Sequence, residues 1–376
     1  MLRNYIKTHF RHLLKYKQSG FLNILGLALG LACCTLCYLH IQYELGYDGF
    51  NVHAGRLYRL VAGNPHEGEY WTKVAAPMPP KFQSEIPEIK AYARFAPVSY
   101  NPNVLVQYGD KSFLEPYFMM ADPDFFTLFS FVAIKGNPQK ALGDLNTVVL
   151  TESTARKLFG DEDPMGKVIR LKENEAFDFQ VGAVVADPPG QSHLRFDYLV
   201  PFENLDRVLG KPFSTFWGAY NFYAYVLLND GASAREAERK VQASKETLPG
   251  SQEVTFERIF LQPVKDIHFQ ASRGNQLPSY DKRYIYVFAT IALCLLTIAC
   301  INYINLSIAL SFKRIKEVGV RKAIGASHRQ LVFQFINEGV VATFLALGLA
   351  LVFLELLLPW ANTLFESDIH TDYGDP

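Results

Sequence analysis

Three apolar runs constrain this chain more than anything else in it. Phe21 to Ile41 is a stretch of 21 residues with no acidic, Lys or Arg side chain, and a helix needs roughly 20 residues to cross ~30 Å of hydrocarbon. Tyr284 to Phe312 and Gly339 to Trp360 meet the same test, the latter with one acid, Glu355, toward its far end. Backbone polar groups in hydrocarbon must pair within their own segment, so each run is expected to be a helix. A secretory signal peptide is the rival reading of the first run, but the apolar stretch is too long and no clear small-residue cleavage site follows it.

Charge sets the expected orientation. The chain carries 37 basic and 37 acidic residues, a balance that by itself suggests an ordinary globular protein. Their distribution is more informative. Residues 1–20 hold Arg3, Lys7, Arg11, Lys15 and Lys17 with no acid, and residues 313–329 hold six basic residues against Glu317. Lys and Arg beside a span stay in the cytoplasm, so both flanks are expected inside. Residues 44–283, with 26 basic and 30 acidic side chains, then lie outside, as does the acidic tail ESDIHTDYGDP. Cys33, Cys34, Cys37, Cys294 and Cys300 all fall within the apolar runs, which leaves the outer stretch no disulfide framework and no Cys-based metal site. It is long enough to bury a core without either, as one or two domains.

At the amino terminus Arg3, Lys7, Arg11 and Lys15 recur every fourth residue, while Leu2, Ile6, Phe10, Leu13 and Leu14 fill other positions at helical spacing. That pattern predicts a basic amphipathic helix lying along the inner lipid surface; a flexible positive flank is the plainer alternative. In the first run Gly26 and Gly30 form GxxxG, which permits close helix contact, although glycine is common in membrane helices. In the second, Asn302 and Asn305 put amides into hydrocarbon, where they seek partners on neighbouring helices. A packed bundle is expected.

Across the outer stretch the pattern changes to short alternating segments broken by Gly, Pro, Asn and Asp. Residues 57–62, 104–107, 167–171, 177–186 and 223–228 read as strands. Thr151 is placed to cap a helix over residues 152–159, ended by Gly160, and residues 232–248 read as a polar, Ala-rich helix. The mixture predicts an α+β domain of two subdomains. Chemistry is not evident in it. Gly160 and Gly166-Lys167 resemble a phosphate loop only loosely, because the glycine spacing is too long and Val168 replaces the Ser/Thr that would hold magnesium. There is no HExxH and no GxSxG; His66, His193 and His268 lie far apart and read as structural or surface residues. The aromatics of Asp124-Phe125-Phe126 and Phe129-Ser130-Phe131 read as core, with a sugar- or lipid-binding face as the alternative.

The loop after the second run is the most informative stretch for function. Ile315, Val318, Ala323 and Ile324 can share much of one helical face while Lys316, Glu317, Arg321 and Lys322 point elsewhere, so a short helix here offers both grip and charge. Gly325 is expected to end it. Ser327 sits three residues before Gln330, a capping-box spacing that starts the next helix at His328. A helix from there to Leu358 would be 31 residues, or ~46 Å at 1.5 Å per residue, longer than the hydrocarbon it crosses, and would project as a stalk.

ACINYINLS, KRIKEVGVRKAIGAS and the helix through Asn337-Glu338-Gly339 resemble the FtsX-like permease region of ABC transporters. Tyr47-Asp48-Gly49-Phe50-Asn51 with Arg56-Leu57-Tyr58-Arg59, Asp124-Phe125-Phe126, VVLTESTARKLFGDEDPMGK, and Asp187-Pro188-Pro189 before Ser192-His193 resemble the MacB-type periplasmic core domain. Together they cover nearly the whole chain in the family's order. The resemblance implies an inner-membrane, multi-pass permease, amino terminus cytoplasmic, that passes the ATP-driven motion of separate ATPase subunits to a periplasmic domain for export or extraction of a substrate. Lys316, Glu317, Val318, Gly319, Arg321, Lys322, Gly325 and Ala326 are then the expected ATPase contacts, and Gly26, Gly30, Asn302 and Asn305 the expected membrane packing residues. Nothing in the chain matches Walker A, so no cofactor is expected in it; ATP and magnesium belong to the partner. A permease homo- or heterodimer, membrane lipid and a periplasmic adaptor or lipoprotein are further expected partners, and nucleic acid is not.

The expected fold is therefore an α-helical transmembrane bundle with a large α+β domain inserted between its first two spans. Its parts are the amphipathic helix at 1–20, spans at 21–43 and 284–312, the core domain at 44–283, the coupling helix and turn at 313–327, a stalk and third span at 328–360, and a tail at 361–376. The family unit has four spans and this chain shows three, which reads as a truncation or a fragment of a longer permease. A receptor or scaffold with a ligand-binding outer domain is the alternative from another class; it would show no link to ATP hydrolysis. No catalytic constellation favours an enzyme.

Overall fold

The computed structural model describes residues 17–64, 69–99, 101, 103–173, 175–248, 258–270, 280–312, 315–325, 327–365 and 367–371. Residues 1–16 of the expected amphipathic helix, and His66, lie outside them. The chain forms two compact units, a helical one made by its two ends, up to Leu45 and from Lys282, and an inserted one, Gly46–Asp281.

In chain order the elements are α1 (Lys17–Leu45), β1 (Leu57–Asn64), β2 (Glu69–Trp71), α2 (Met78–Glu85), β3 (Ile89–Pro97), β4 (Val104–Tyr108), β5 (Lys111–Glu115) and β6 (Phe118–Ala121). Then come α3 (Phe125–Leu128), β7 (Ala133–Gly136), α4 (Pro138–Ala141), β8 (Thr147–Thr151), α5 (Glu152–Phe159), β9 (Val168–Lys172), β10 (Ala176–Val185), β11 (Tyr198–Pro201) and α6 (Leu205–Leu209). The last are β12 (Tyr223–Leu228), α7 (Ala234–Lys245), β13 (Arg258–Pro263), α8 (Lys282–Phe312), α9 (Ile315–Ala323) and α10 (His328–Phe365).

All the strands belong to one sheet, in the order β13-β1-β12-β3-β6-β11-β8-β10-β9-β4-β5, with β2 added to β1 and β7 to β10. β10 with β8 and β11 with β6 run parallel and the other pairs antiparallel, the mixed arrangement of an α+β unit. Period-two alternation sends side chains to opposite faces. Along β12, Tyr223, Tyr225 and Leu227 join one core with α3, whereas Ala224, Val226 and Leu228 join another with α2 and α7. A third core packs β4, β8, β9, β10 and β11 against Ala155, Leu158 and Phe159 of α5. Each fully buried Leu, Val or Phe contributes roughly 1.5–3 kcal/mol. β10 changes face on the way: Phe177, Phe179 and Val181 face the third core, but Ala183 and Val185 face the first. The register against β8 shifts between Val181 and Ala183, and such a bulge inverts the alternation.

Two local expectations are corrected. Thr151 occupies the N-cap position of α5, but its hydroxyl donates to Thr154 Oγ1 at 2.8 Å and caps no backbone group. Asp187 does that instead, accepting from the N–H and the hydroxyl of Ser153 at 3.1 and 2.8 Å. The helix expected over residues 232–248 is the shorter α7, because Ser233 caps it through the N–H of Glu236. Gly160 and Gly166 both take positive φ, 63° and 78°, as turns leading into β9. Phe125 and Phe129 are buried, and Phe126 and Phe131 pack onto them, so these aromatics form core.

In the helical unit α1 and α10 outrun their expected ends, α1 by two residues and α10 as far as Phe365, while α8 starts two residues early and ends at Phe312 as expected. Pro359 sits inside α10. It lacks an N–H to give the preceding turn, yet the helix continues, with the Thr363 hydroxyl donating back to the Pro359 carbonyl at 2.9 Å. The chain after the helix is tied to it, since Asn362 exchanges side-chain bonds with the backbone of Ile369 at 2.9 and 3.0 Å.

Candidate coupling site

Small residues let the helices of this unit approach closely. Leu27, Ala28 and Ala32 of α1 meet Ala299 of α8 and Ala346 and Ala350 of α10 in one buried cluster. An ideal Cβ at Gly30 would lie 2.4 Å from the Ala299 Cβ, and one at Gly26 would lie 2.9 Å from Asn302 Nδ2. Gly26 thus faces Asn302 and Gly30 faces Ala299, while Asn302 and Asn305 are both exposed. A polar contact that the sequence did not single out links the same two helices: Asn23 Nδ2 donates to Ser307 Oγ at 3.2 Å. His40 was missed as well. It is buried between the rings of Phe288 and Phe365, with centroids at 4.7 and 4.5 Å, and Glu44 one turn on is also buried. A histidine at the end of an apolar run with an acid one turn beyond it was the signal for it.

Beyond α8 comes α9, which ends in a tight turn where the Gly325 N–H donates to the Lys322 carbonyl at 3.1 Å. Gly325 has φ of 95°, a conformation that a side chain would strain. The reciprocal capping box forms: Gln330 Oε1 accepts from the Ser327 N–H at 3.0 Å and Ser327 Oγ accepts from the Gln330 N–H at 3.4 Å. Two donors left over at the start of α10 are satisfied in this way.

Of the expected contact residues, Lys316, Glu317, Val318, Gly319, Arg321 and Lys322 all fall on α9. Val318 is half-buried, Gly319 and Lys322 are exposed, and Ala326 lies outside the described residues. Ile315, Val320 and Ile324 are 60%, 58% and 82% exposed. α9 and the turn after it thus present apolar side chains beside a cation. Among the described residues no group of three or more His, Cys, Asp or Glu side chains is placed to hold a metal ion.

Residues 21–244 match the family described as MacB-like periplasmic core domain, and residues 289–374 match the FtsX-like permease C-terminal family. The chain is 24% identical over 358 residues to the uncharacterized ABC transporter permease YvrN of Bacillus subtilis, covering 90% of this chain and 83% of that one. It is 24% identical over 240 residues to the macrolide export ATP-binding/permease protein MacB of Bdellovibrio bacteriovorus, covering 60% of this chain and 34% of MacB. The match therefore spans about a third of that relative's length. A crystal structure of a permease domain from Porphyromonas gingivalis matches 60% of this chain and 96% of its own, with 24% identity and a TM-score of 0.48.

Proposed function

This chain belongs to the family of ABC transporter permeases that carry a MacB-like periplasmic core domain and an FtsX-like permease region, and we propose that it is their mechanotransmission subunit. In this reading a separate ABC ATPase grips α9 on the cytoplasmic side of the inner membrane, and its ATP-driven motion passes through the long helices to a periplasmic inserted unit. ATP and magnesium bind in that partner. The Bdellovibrio relative is named for macrolide export, and export or extraction of a substrate from the periplasm or membrane is the activity we assign. The permease works as a homo- or heterodimer in lipid, with a periplasmic adaptor or lipoprotein as a further partner.

The observation that carries this reading is α9 with the turn after it: Ile315 and Val320 on the helix and Ile324 just past its end are exposed, in sequence between two apolar helices long enough to cross a membrane. A core of apolar side chains with charges at its rim is the anatomy of a protein interface. Glu317, Arg321 and Lys322 supply the charge-assisted bonds. Arg321→Glu is expected to weaken binding of the complete permease to its ATPase by about tenfold or more, ~1.4 kcal/mol at least, since a like charge set against the partner's surface is repelled. Co-purification and ATP turnover in lipid nanodiscs measure it. Unchanged association together with unchanged turnover would remove α9 from the coupling path.

A further inference from the structure

Segments far apart in sequence meet at one point of the inserted unit: residues 47–52 just after α1, residues 129–131 after α3, and Gln191 to His193. Asp48 is buried, and its φ of 57° puts it in the left-handed region, which a residue with a side chain adopts only at some cost. Its Oδ1 accepts from the backbone N–H of His193 at 3.3 Å and from the ring Nδ1 at 2.7 Å. With Nδ1 donating, Nε2 is left to accept from the Tyr225 hydroxyl at 2.9 Å. The backbone joins in. The Asp48 N–H donates to the Gln191 carbonyl at 2.8 Å, Asn51 Oδ1 accepts from the Ser130 N–H at 3.0 Å, and Ser130 Oγ accepts from the Val52 N–H at 3.0 Å.

Arg59 of β1 is buried here too, with Nε and Nη2 both donating to Gln262 Oε1 of β13 at 3.0 and 2.8 Å. Burial draws its guanidinium below the ordinary value, opposed by Tyr225, Tyr223 and Asp48. The other crossing of the chain is tied to the same place. Tyr47 stacks on His268 with centroids 3.5 Å apart and planes within 4°, and His268 stacks on Tyr280 at 5.8 Å. The Tyr280 N–H donates to the His268 carbonyl at 2.6 Å, two residues before α8 begins.

Hydroxyl, imidazole and carboxylate in a row have the form of an acyl-transfer relay. Tyr225 is fully buried, however, and burial pushes its phenol far above the ordinary range, so a substrate cannot reach it. We propose that Asp48, His193, Tyr225 and Arg59, with the rings of Tyr47, His268 and Tyr280, form a joint that clamps both chain crossings of the inserted unit to its sheet. Displacement arriving at Gly46 or Asp281 is then carried into β1 and β12 and is not absorbed in a linker. The use of the joint rests on the mechanotransmission reading; its existence does not.

Hydrogen exchange on the full chain in lipid nanodiscs tests the joint with no ATPase present, so its failure and the failure of that reading are separate results. His193→Ala is expected to speed exchange of the amides at residues 46–54 by about tenfold or more, a local opening, while β4, β5 and β9 stay protected as in the native chain. His193→Gln, whose side-chain amide can still donate to Asp48, restores protection in part. Equal exchange at residues 46–54 in the native and His193→Ala proteins overturns the joint. Protection lost evenly across the whole sheet overturns it as well, because the network would then be ordinary core.

Discussion

Asp122→Ala is expected to destabilise the inserted unit by about 3–5 kcal/mol, because it strands a buried guanidinium. Arg94 lies on β3, and Asp122 directly follows β6, the neighbouring strand near the middle of the sheet. Arg94 Nε and Nη2 donate to the two carboxylate oxygens at 2.8 and 2.7 Å, its backbone N–H adds a third bond at 2.7 Å, and Nη1 donates to the Ala76 carbonyl at 3.2 Å. The guanidinium also lies 4.1 Å from the centre of the Phe202 ring. The two side chains are only 11% and 7% exposed. Burial draws Arg94 down, and the Asp122 hydrogen bonds and charge more than reverse this, so that its net shift is upward. A domain of this kind is stable by only ~5–15 kcal/mol, so the loss would be a large fraction of the total. Urea unfolding of the full chain, followed by proteolysis of the inserted unit, measures it. The double variant Arg94→Met with Asp122→Leu is expected to lose less than Asp122→Ala alone, since no charge is then left buried and unpaired. A double variant as unstable as the single one would place the cost in the lost attraction and not in the stranded charge.

How far the sequence could be read follows from where its signals are local. The capping box at Ser327 and Gln330 and the turn at Gly325 are fixed within a few residues, and the structure forms both. β9 was readable because its burial alternates residue by residue, so that one face is written in polar side chains. β6, β8 and β11 are short and buried almost throughout, and a continuous apolar run of that length does not distinguish strand from helix. Helix ends were harder still, since α10 runs on through Pro359 to Phe365. The Asp48, His193 and Tyr225 network had no local signature at all. Asp48 and His193 are 145 residues apart in sequence, and only the sheet order brings them together. An isolated histidine was rightly read as structural, but its partners could not be named.

Gly30→Ala is expected to cost the helical unit roughly 1–3 kcal/mol by overpacking, and Gly26→Ala distinctly less. The two glycines share one motif, yet they meet different neighbours. A Cβ at Gly30 would sit 2.4 Å from the Ala299 Cβ, whereas carbon atoms pack at about 3.5–4.0 Å. Neither atom can rotate away, so α1 and α8 must separate. Leu27, Ala28 and Ala32, which share that cluster with Ala346 and Ala350 of α10, would lose contact along with them. At Gly26 the obstacle is Asn302 Nδ2 at 2.9 Å, the end of a side chain that can turn aside at the cost of a rotamer change. Ala299→Gly in the Gly30→Ala background removes the opposing methyl and is expected to restore most of the loss, a coupling of the kind that contacting residues show. Denaturant titration of the purified chain in mixed micelles, read by crosslinking between α1 and α8, gives all four values. Equal losses at Gly26 and Gly30, or no recovery with Ala299→Gly, would mean that the α1 and α8 backbones do not approach as closely as the small residues between them allow.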